Sequence, residues 1–227
     1  MIFDVDGTLV DSVDLHADSW QRALEKFGHR VTFDQVRSQI GKGGDQLMPV
    51  FLSPSEMNTQ AKDLERFRGE LFKREYLQRV RAFPKVRDLF ERLISDGWKI
   101  GLASSAKEEE LKIYEEIAGV ADLLDATTSS NDAEKSKPHP DIFQAAAERL
   151  KVSPDGCVVV GDSPYDAQAA KKAGMISIGL LCGGFPKNDL ERAGFQVLYQ
   201  DPEDVLRNYD TSLFSSSAPA TKRSLGT

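Results

Sequence analysis

Short apolar runs alternate with helical segments over the last two thirds of this chain. They are "WKIGLA" (98–103), "DLLDAT" (122–127), "CVVVG" (157–161), "MISIGLL" (175–181) and "QVLYQ" (196–200). A strand that is apolar along its whole length, and not only at every second position, has both faces buried. Helices between such strands supply the cover, which predicts a parallel sheet. Several helical segments close on a glycine: Gly97, Gly119, Gly174 and Gly194. "MIF" at the start reads as a further strand. The pattern predicts an α/β fold, a doubly wound (Rossmann-like) parallel sheet.

One stretch breaks the alternation. From about Val13 to Val80 every periodic segment is helical. Trp20, Ala23, Leu24 and Phe27 recur at helical spacing, Gly28 can close that helix, and Phe33, Val36 and Ile40 continue the pattern. Ser53, Pro54 and Glu56 form a capping-box start. The helix that follows carries Leu64, Phe67, Leu71 and Leu77. The expected organisation is an α/β core from 1–12 and 82–210 with an all-helical domain, 13–81, inserted after the first strand. The Ser/Thr-rich tail, 211–227, is expected to be frayed or disordered.

Bulk properties narrow the function classes. A formal net charge of −7 argues against a nucleic-acid or anionic-membrane footprint. No apolar run approaches the roughly 18 residues that span a bilayer. No basic region followed by an apolar stretch opens the chain, so no signal peptide is read there. Cys157 and Cys182 sit in apolar runs without metal-ligand spacing and are read as reduced thiols. These features together point to a cytoplasmic protein. Only three residues precede Asp4. Either the chain starts late or its first strand gets by with little pairing.

In open α/β sheets, ligands bind at the carboxyl ends of the strands. After "MIF" come Asp4, Val5, Asp6, Gly7 and Thr8; after "WKIGLA" come Ser104 and Ser105; after "CVVVG" come Asp162 and Asp166. Lys137 stands before Pro138 at the mouth of a helix in "EKSKPHPDIF". Carboxylates gathered at one edge repel, which raises a pKa or unfolds the edge. A hard divalent cation resolves this, and Mg²⁺ takes carboxylates, water and substrate phosphate. Asp4 and Asp6, two apart, face one site while Val5 turns aside. Gly7 permits a tight turn. The set also holds the parts for phosphoryl transfer. They are a carboxylate that attacks phosphorus, a second that moves the proton, and an ammonium and hydroxyls that hold the transferring oxygens.

These residues make the chain resemble the haloacid dehalogenase-like hydrolase superfamily, whose four short motifs appear in order. They are "DVDGTLVDS", "IGLASS", "SKPHPDIF" and "VVVGDSPYDA". The similarity reaches to about Tyr209. The resemblance implies a doubly wound core with a helical cap inserted after the first motif. It implies Asp4 as nucleophile and metal ligand, and Asp6 as acid/base and, through its backbone carbonyl, as metal ligand. Ser104 matches the phosphate-binding hydroxyl, with Ser105 and Lys137 also on the phosphate. Asp162 matches the metal carboxylate, and Asp166 a supporting acid. Asp6 is present where the dehalogenase branch typically lacks the second aspartate, which argues against dehalogenation.

Each position also has a plainer reading. Asp4 and Asp6 taken alone could be a turn and a cap. Ser104 or Ser105 could cap the helix at 107–119. Lys137 could be a surface lysine, and Asp166 could serve only to orient Lys137. His16, in "LHADSW", is a structural histidine or one that touches substrate. "IGKGGDQL" (40–47) is a loop or the cap element that selects substrate, with Lys42 and Gly43 as its candidates. The form "GDSPYDAQAAKKAG" looks most like the phosphoglycolate-phosphatase-like branch, so a Mg²⁺-dependent phosphatase acting on a small phosphorylated metabolite is expected. A sugar-phosphate mutase like β-phosphoglucomutase typically has a cap arginine for a distal phosphate, and none lies in 40–47; Lys42 lacks the bidentate fork. Phosphonoacetaldehyde hydrolysis needs a cap lysine, for which only Lys42 or Lys73 could be named. Monomer and homodimer are both compatible with such a cap.

Overall fold

The computed structural model describes residues 1–212. Most of the tail predicted to fray lies outside the described residues; Ser212, within them, is buried. Strand β1 (Ile2–Phe3) leads through a tight turn to β2 (Val10–Asp11). Five helices follow: α1 (Val13–Lys26), α2 (Phe33–Arg37), α3 (Gly44–Leu47), α4 (Pro54–Thr59) and α5 (Ala61–Glu75). The chain returns in β3 (Arg81–Ala82) and α6 (Val86–Ser95). Then β4 (Gly101–Ala103), α7 (Glu108–Ala118), β5 (Ala126–Thr128), α8 (Asp141–Leu150), β6 (Val158–Gly161), α9 (Pro164–Lys172), β7 (Ile176–Leu180), α10 (Lys187–Ala193), β8 (Val197–Tyr199) and α11 (Pro202–Arg207) alternate to the end.

Six strands form one parallel sheet in the order β5-β4-β1-β6-β7-β8. Residues from β1 onward take one side of the sheet and those from β6 onward take the other, so the winding reverses beside β1. The apolar strands are covered on both faces, as expected. On β1, Phe3 packs with Phe90, Leu102, Val160 and Tyr114 on one face, and Ile2 with Phe143, Ala146, Val159 and Ala170 on the other. The short first strand pairs on both sides, Ile2 opposite Gly101 and Val159. One strand starts later than its sequence suggests. Ala121–Leu123 form a 3₁₀ turn whose Asp122 is held at the surface by Arg87, and β5 begins only at Ala126.

Helices α1–α5 lie between β2 and β3, which pair antiparallel through Val10–Ala82 and Asp11–Arg81. They enclose a core of their own built from Ala17, Trp20, Leu24, Val36, Leu47, Leu52 and Leu64. The capping box read at Ser53 and Glu56 is present, and a second one, Thr32 with Gln35, starts α2. This helical layer sits over the carboxyl edge of the sheet.

Candidate active site

Three neighbouring strands deliver the core of the site. Asp4 follows β1, and its amide donates to the Val160 carbonyl of β6 at 2.8 Å. The amides of Thr8, Leu9 and Val10 all converge on the Val5 carbonyl, closing the turn that carries Asp6. Gly7 sits in this turn at φ 80°, and a Cβ there would overlap the Asp162 carboxylate. Only glycine meets both demands. Thr8 Oγ1 donates to Asp162 Oδ1 at 3.2 Å, fixing the carboxylate that follows β6. Asp166 lies in the first turn of α9. Its Oδ2 accepts from Ser163 Oγ at 2.6 Å and from the Ser163 amide at 3.0 Å.

Lys137 reaches the same point from the loop before α8. It is 1% exposed, yet it is charged by its neighbours: it pairs with Asp4 and stands 2.8 Å from Asp166 Oδ1. Burial alone disfavours the ammonium, but Asp166 and Asp4 outweigh it and raise its pKa. Carboxylate oxygens of Asp4, Asp162 and Asp166 lie within 4.8 Å of one another, all buried. Burial pushes the Asp4 carboxyl up to about 7, against the pull of Lys137. Burial likewise lifts Asp162 well above the carboxylate range, with Asp4 and Asp166 adding to it.

One ammonium does not balance three buried carboxylates. A hard, oxygen-seeking divalent cation fits this donor set. One orphaned buried polar atom borders the cavity: Ser105 Oγ has no partner among the described residues, while Asp166 Oδ1 faces only the Lys137 ammonium. Ser104 is buried, and its Oγ accepts from the Ala106 amide at 3.0 Å. Neither serine caps α7, whose N-cap is Lys107, so the capping alternative does not hold.

Asp6 faces away from this cluster. Its Oδ1 accepts from Ser12 Oγ at 2.5 Å and meets His16 Nε2 at 2.9 Å. Burial alone would raise its pKa, but His16, Ser12 and Arg68 together hold it below the usual carboxylate range. His16 is buried, stacks on Phe72 at 4.1 Å between centroids, and meets the Tyr114 hydroxyl at 3.1 Å. Its other ring nitrogen contacts the Arg68 guanidinium.

A cavity of about 520 Å³ separates the sheet edge from the helical layer, with Asp4, Asp6 and Ser105 on its core side and His16, Trp20, Glu65 and Arg68 on the other. Residues 40–45 close one wall. Lys42 lies in that wall, but its ammonium donates to Gln39 Oε1 at 2.6 Å and sits 4.7 Å over the Tyr165 ring. Gly43 presses on the core so closely that a Cβ would overlap Ser136, and Asp45 accepts from the Ser136 amide at 3.1 Å. Lys73 is exposed and does not line the cavity. Both cysteines are free; Cys157 is buried and Cys182 partly so.

Arg68 and Glu65 were not among the residues expected from the sequence. A signal was there for Arg68. It lies four positions after Leu64 and three before Leu71, inside the stripe that α5 buries.

The family model described as "Haloacid dehalogenase-like hydrolase" matches residues 1–180. This chain belongs to the haloacid dehalogenase-like hydrolase family. Among its relatives, the phosphoglycolate phosphatase of Escherichia coli (strain K12) is 30% identical over 225 residues, covering 90% of this chain and 89% of that protein. The phosphorylated carbohydrates phosphatase of Thermotoga maritima is 28% identical, covering 91% of this chain and 95% of its own length. A hydrolase from Pseudomonas syringae, 29% identical, superposes with a TM-score of 0.84 over 92% of this chain and 97% of that one. Among the described residues no helix is long and apolar enough to cross a membrane.

Proposed function

We propose that this hydrolase is a Mg²⁺-dependent phosphatase that cleaves a small phosphomonoester through an aspartyl-phosphate on Asp4. One observation carries the reading: the buried Lys137 ammonium, bridged between Asp4 and Asp166, at the edge where Asp162 joins the same oxygen cluster. Asp4, Asp162 and the Asp6 backbone carbonyl would hold the cation. Bound there, Mg²⁺ supplies neutralisation of the negative charge that a carboxylate nucleophile and a phosphoryl group share.

The chain's own groups divide the remaining work. Lys137 fixes the Asp4 carboxylate and offers a donor to the phosphoryl oxygens. The Ser104 and Ser105 hydroxyls supply further donors for charge that grows on those oxygens. Asp4 Oδ attacks phosphorus as the ester oxygen leaves. His16, Ser12 and Arg68 keep Asp6 ionised in the free site, so Asp6 takes up a proton when the anionic ester binds beside it and hands that proton to the leaving oxygen. A water then attacks the aspartyl-phosphate, gives its proton back to Asp6, and releases inorganic phosphate and free Asp4. The names of the relatives, one acting on phosphoglycolate and one on phosphorylated carbohydrates, support the phosphomonoester class.

Arg68 favours a second reading, because it is a cap arginine in the cavity, although on α5 and not in the 40–47 loop. A sugar-phosphate mutase would use it for a distal phosphate. Conversion of β-glucose 1-phosphate to glucose 6-phosphate with a bisphosphate primer would establish the mutase. The phosphatase reading expects p-nitrophenyl phosphate turnover that needs Mg²⁺. No turnover on that ester or on a panel of sugar and glycolate phosphates would end it.

A further inference from the structure

We infer that Glu65, one helical turn from Arg68 on α5, is a specificity-determining residue that selects a neutral, hydroxyl-bearing leaving group and turns away a second anionic group. This deepens the phosphatase reading and rests on it.

The leaving group must extend past Asp6, since Asp6 hands it a proton. Beyond Asp6 stand His16 and then Arg68, in contact in that order. The cavity there, about 520 Å³, holds far more than a phosphoryl group. Its cap side carries two carboxylates. Asp45 is engaged with the Ser136 amide, whereas Glu65 makes no hydrogen bond or ion pair among the described residues. Glu65 is half-buried beside Gly44 and Trp20; a Cβ on Gly44 would meet Glu65 Oε1 at 3.5 Å and the Trp20 ring at 3.4 Å. Arg68 lies 5.2 Å over Trp20, and its Nε is buried with no acceptor.

Glu65 offers an open acceptor. Arg68 beside it, stacked on Trp20 and Phe72 with one amino group on His16, offers the cavity its remaining N–H groups; the two cancel in charge but not in hydrogen bonding. Hydroxyl groups satisfy both, because each donates to a carboxylate and accepts from a guanidinium. A second phosphate or a carboxylate satisfies only Arg68 and meets Glu65 as a like charge in a partly desolvated space. A site built this way rejects a ligand that leaves its polar groups unpaired.

The test compares kcat/KM for glucose 6-phosphate with that for 2-phosphoglycolate and fructose 1,6-bisphosphate, in wild type and in Glu65→Gln and Glu65→Ala. Wild type is expected to favour glucose 6-phosphate. Glu65→Gln, which removes charge but keeps shape, is expected to lower that preference roughly tenfold, chiefly through KM. Glu65→Ala is expected to lower it at least as far, and thermal melting confirms that both variants fold. A wild-type preference for either doubly anionic ester, or a ratio that does not move in Glu65→Gln, overturns the inference. Wild-type turnover of p-nitrophenyl phosphate separates the cases. Turnover with an unmoved ratio removes only the role of Glu65, whereas no turnover on any ester removes the phosphatase reading beneath it.

Discussion

Asp4, Lys137, Asp162 and Asp166 are withdrawn from solvent and follow a strand, open a helix or stand in the loop before α8, while His16, Glu65 and Arg68 ride on the inserted helices and Lys42 on the loop between α2 and α3. The first group is held by the sheet and the turn beside it: the Asp4 amide hangs on the Val160 carbonyl, and the Thr8 hydroxyl fixes the Asp162 carboxylate. The second reaches the core through a few side-chain ties. Arg37 donates to the Gly183 and Gly184 carbonyls at 2.8 and 3.2 Å, and the Tyr165 hydroxyl donates to the Ser38 carbonyl at 2.5 Å. Reaction chemistry therefore sits where geometry cannot drift, and substrate choice sits on a layer that a few bonds position. A change on the core side should alter whether the reaction happens at all. A change on the cap side should alter which ester is taken.

The largest effect tests the rigid side. Asp4→Asn keeps the shape but removes the attacking carboxylate, so Mg²⁺-dependent p-nitrophenyl phosphate turnover should fall about 10⁴-fold or more. Residual activity within tenfold of wild type would show that Asp4 is not the nucleophile. Next is Lys137→Met. It leaves three buried carboxylates with no cation of their own, and removing one partner of a buried ion pair costs about 3–5 kcal/mol. Denaturant unfolding without metal should show a loss of that order; a loss below about 1 kcal/mol would mean that the cluster is solvated or protonated instead.

Metal should relieve the same strain, and pH should tune how much. In the folded, metal-free protein burial holds the Asp4 proton up to about 7, against about 3.8 for an ordinary aspartate. Asp162 shifts in the same direction. The folded state thus binds more protons than the unfolded chain across that window, and stability falls as pH rises from about 4 to about 7. The depressed pKa of Asp6 acts with opposite sign but only near and below the ordinary carboxylate value. A cation competes with those protons, so Mg²⁺ should raise the melting temperature more at pH 7.5 than at pH 5. At a hundred times its Kd the gain would be about 2.7 kcal/mol. An equal Mg²⁺ effect at both pH values would contradict a carboxylate-held metal.

The same division explains what could be read from the sequence. Asp4, Ser104 and Asp162 were legible because a parallel sheet sends the residue after each strand to one edge, and an apolar run marks where a strand stops. Asp166 and Lys137 were legible through local signals, a helix start after "GDS" and a lysine before Pro138. The helices of the insert were legible too, down to the capping box at Ser53. What was hidden is which side of each helix meets the sheet edge. Lys42 looked like the hand for an anion, yet its ammonium turns to Gln39 and Tyr165. Arg68 and Glu65 drew no notice as charges of a long helix, and the packing of α5 against α1 brings both to the cavity that Asp6 lines. Helical periodicity gives a buried stripe but not the partner that the stripe's edge will face.

The smallest expected effect tests the ties that seat the cap. Arg37 binds Asp14 on α1 at 2.7 Å and two carbonyls of the loop after β7. That loop touches the chemistry, since a Cβ on Gly183 would overlap the Asp162 carboxylate. Arg37 itself lies outside the cavity, so it contacts no reacting group. Arg37→Ala removes bonds that are largely exposed, each worth about 1 kcal/mol or less. Loosening the cap makes the leaving-group wall less pre-organised while Asp4, Lys137 and Asp162 stay in place. KM for a sugar phosphate should therefore rise a fewfold, with kcat for p-nitrophenyl phosphate, which needs little of that wall, changed less than twofold. If Arg37→Ala instead lowered both kcat values by tenfold or more with folding intact, the cap would be setting the geometry of Asp162 through Gly183. The separation between a rigid reacting core and an adjustable selecting layer would then fail at that loop.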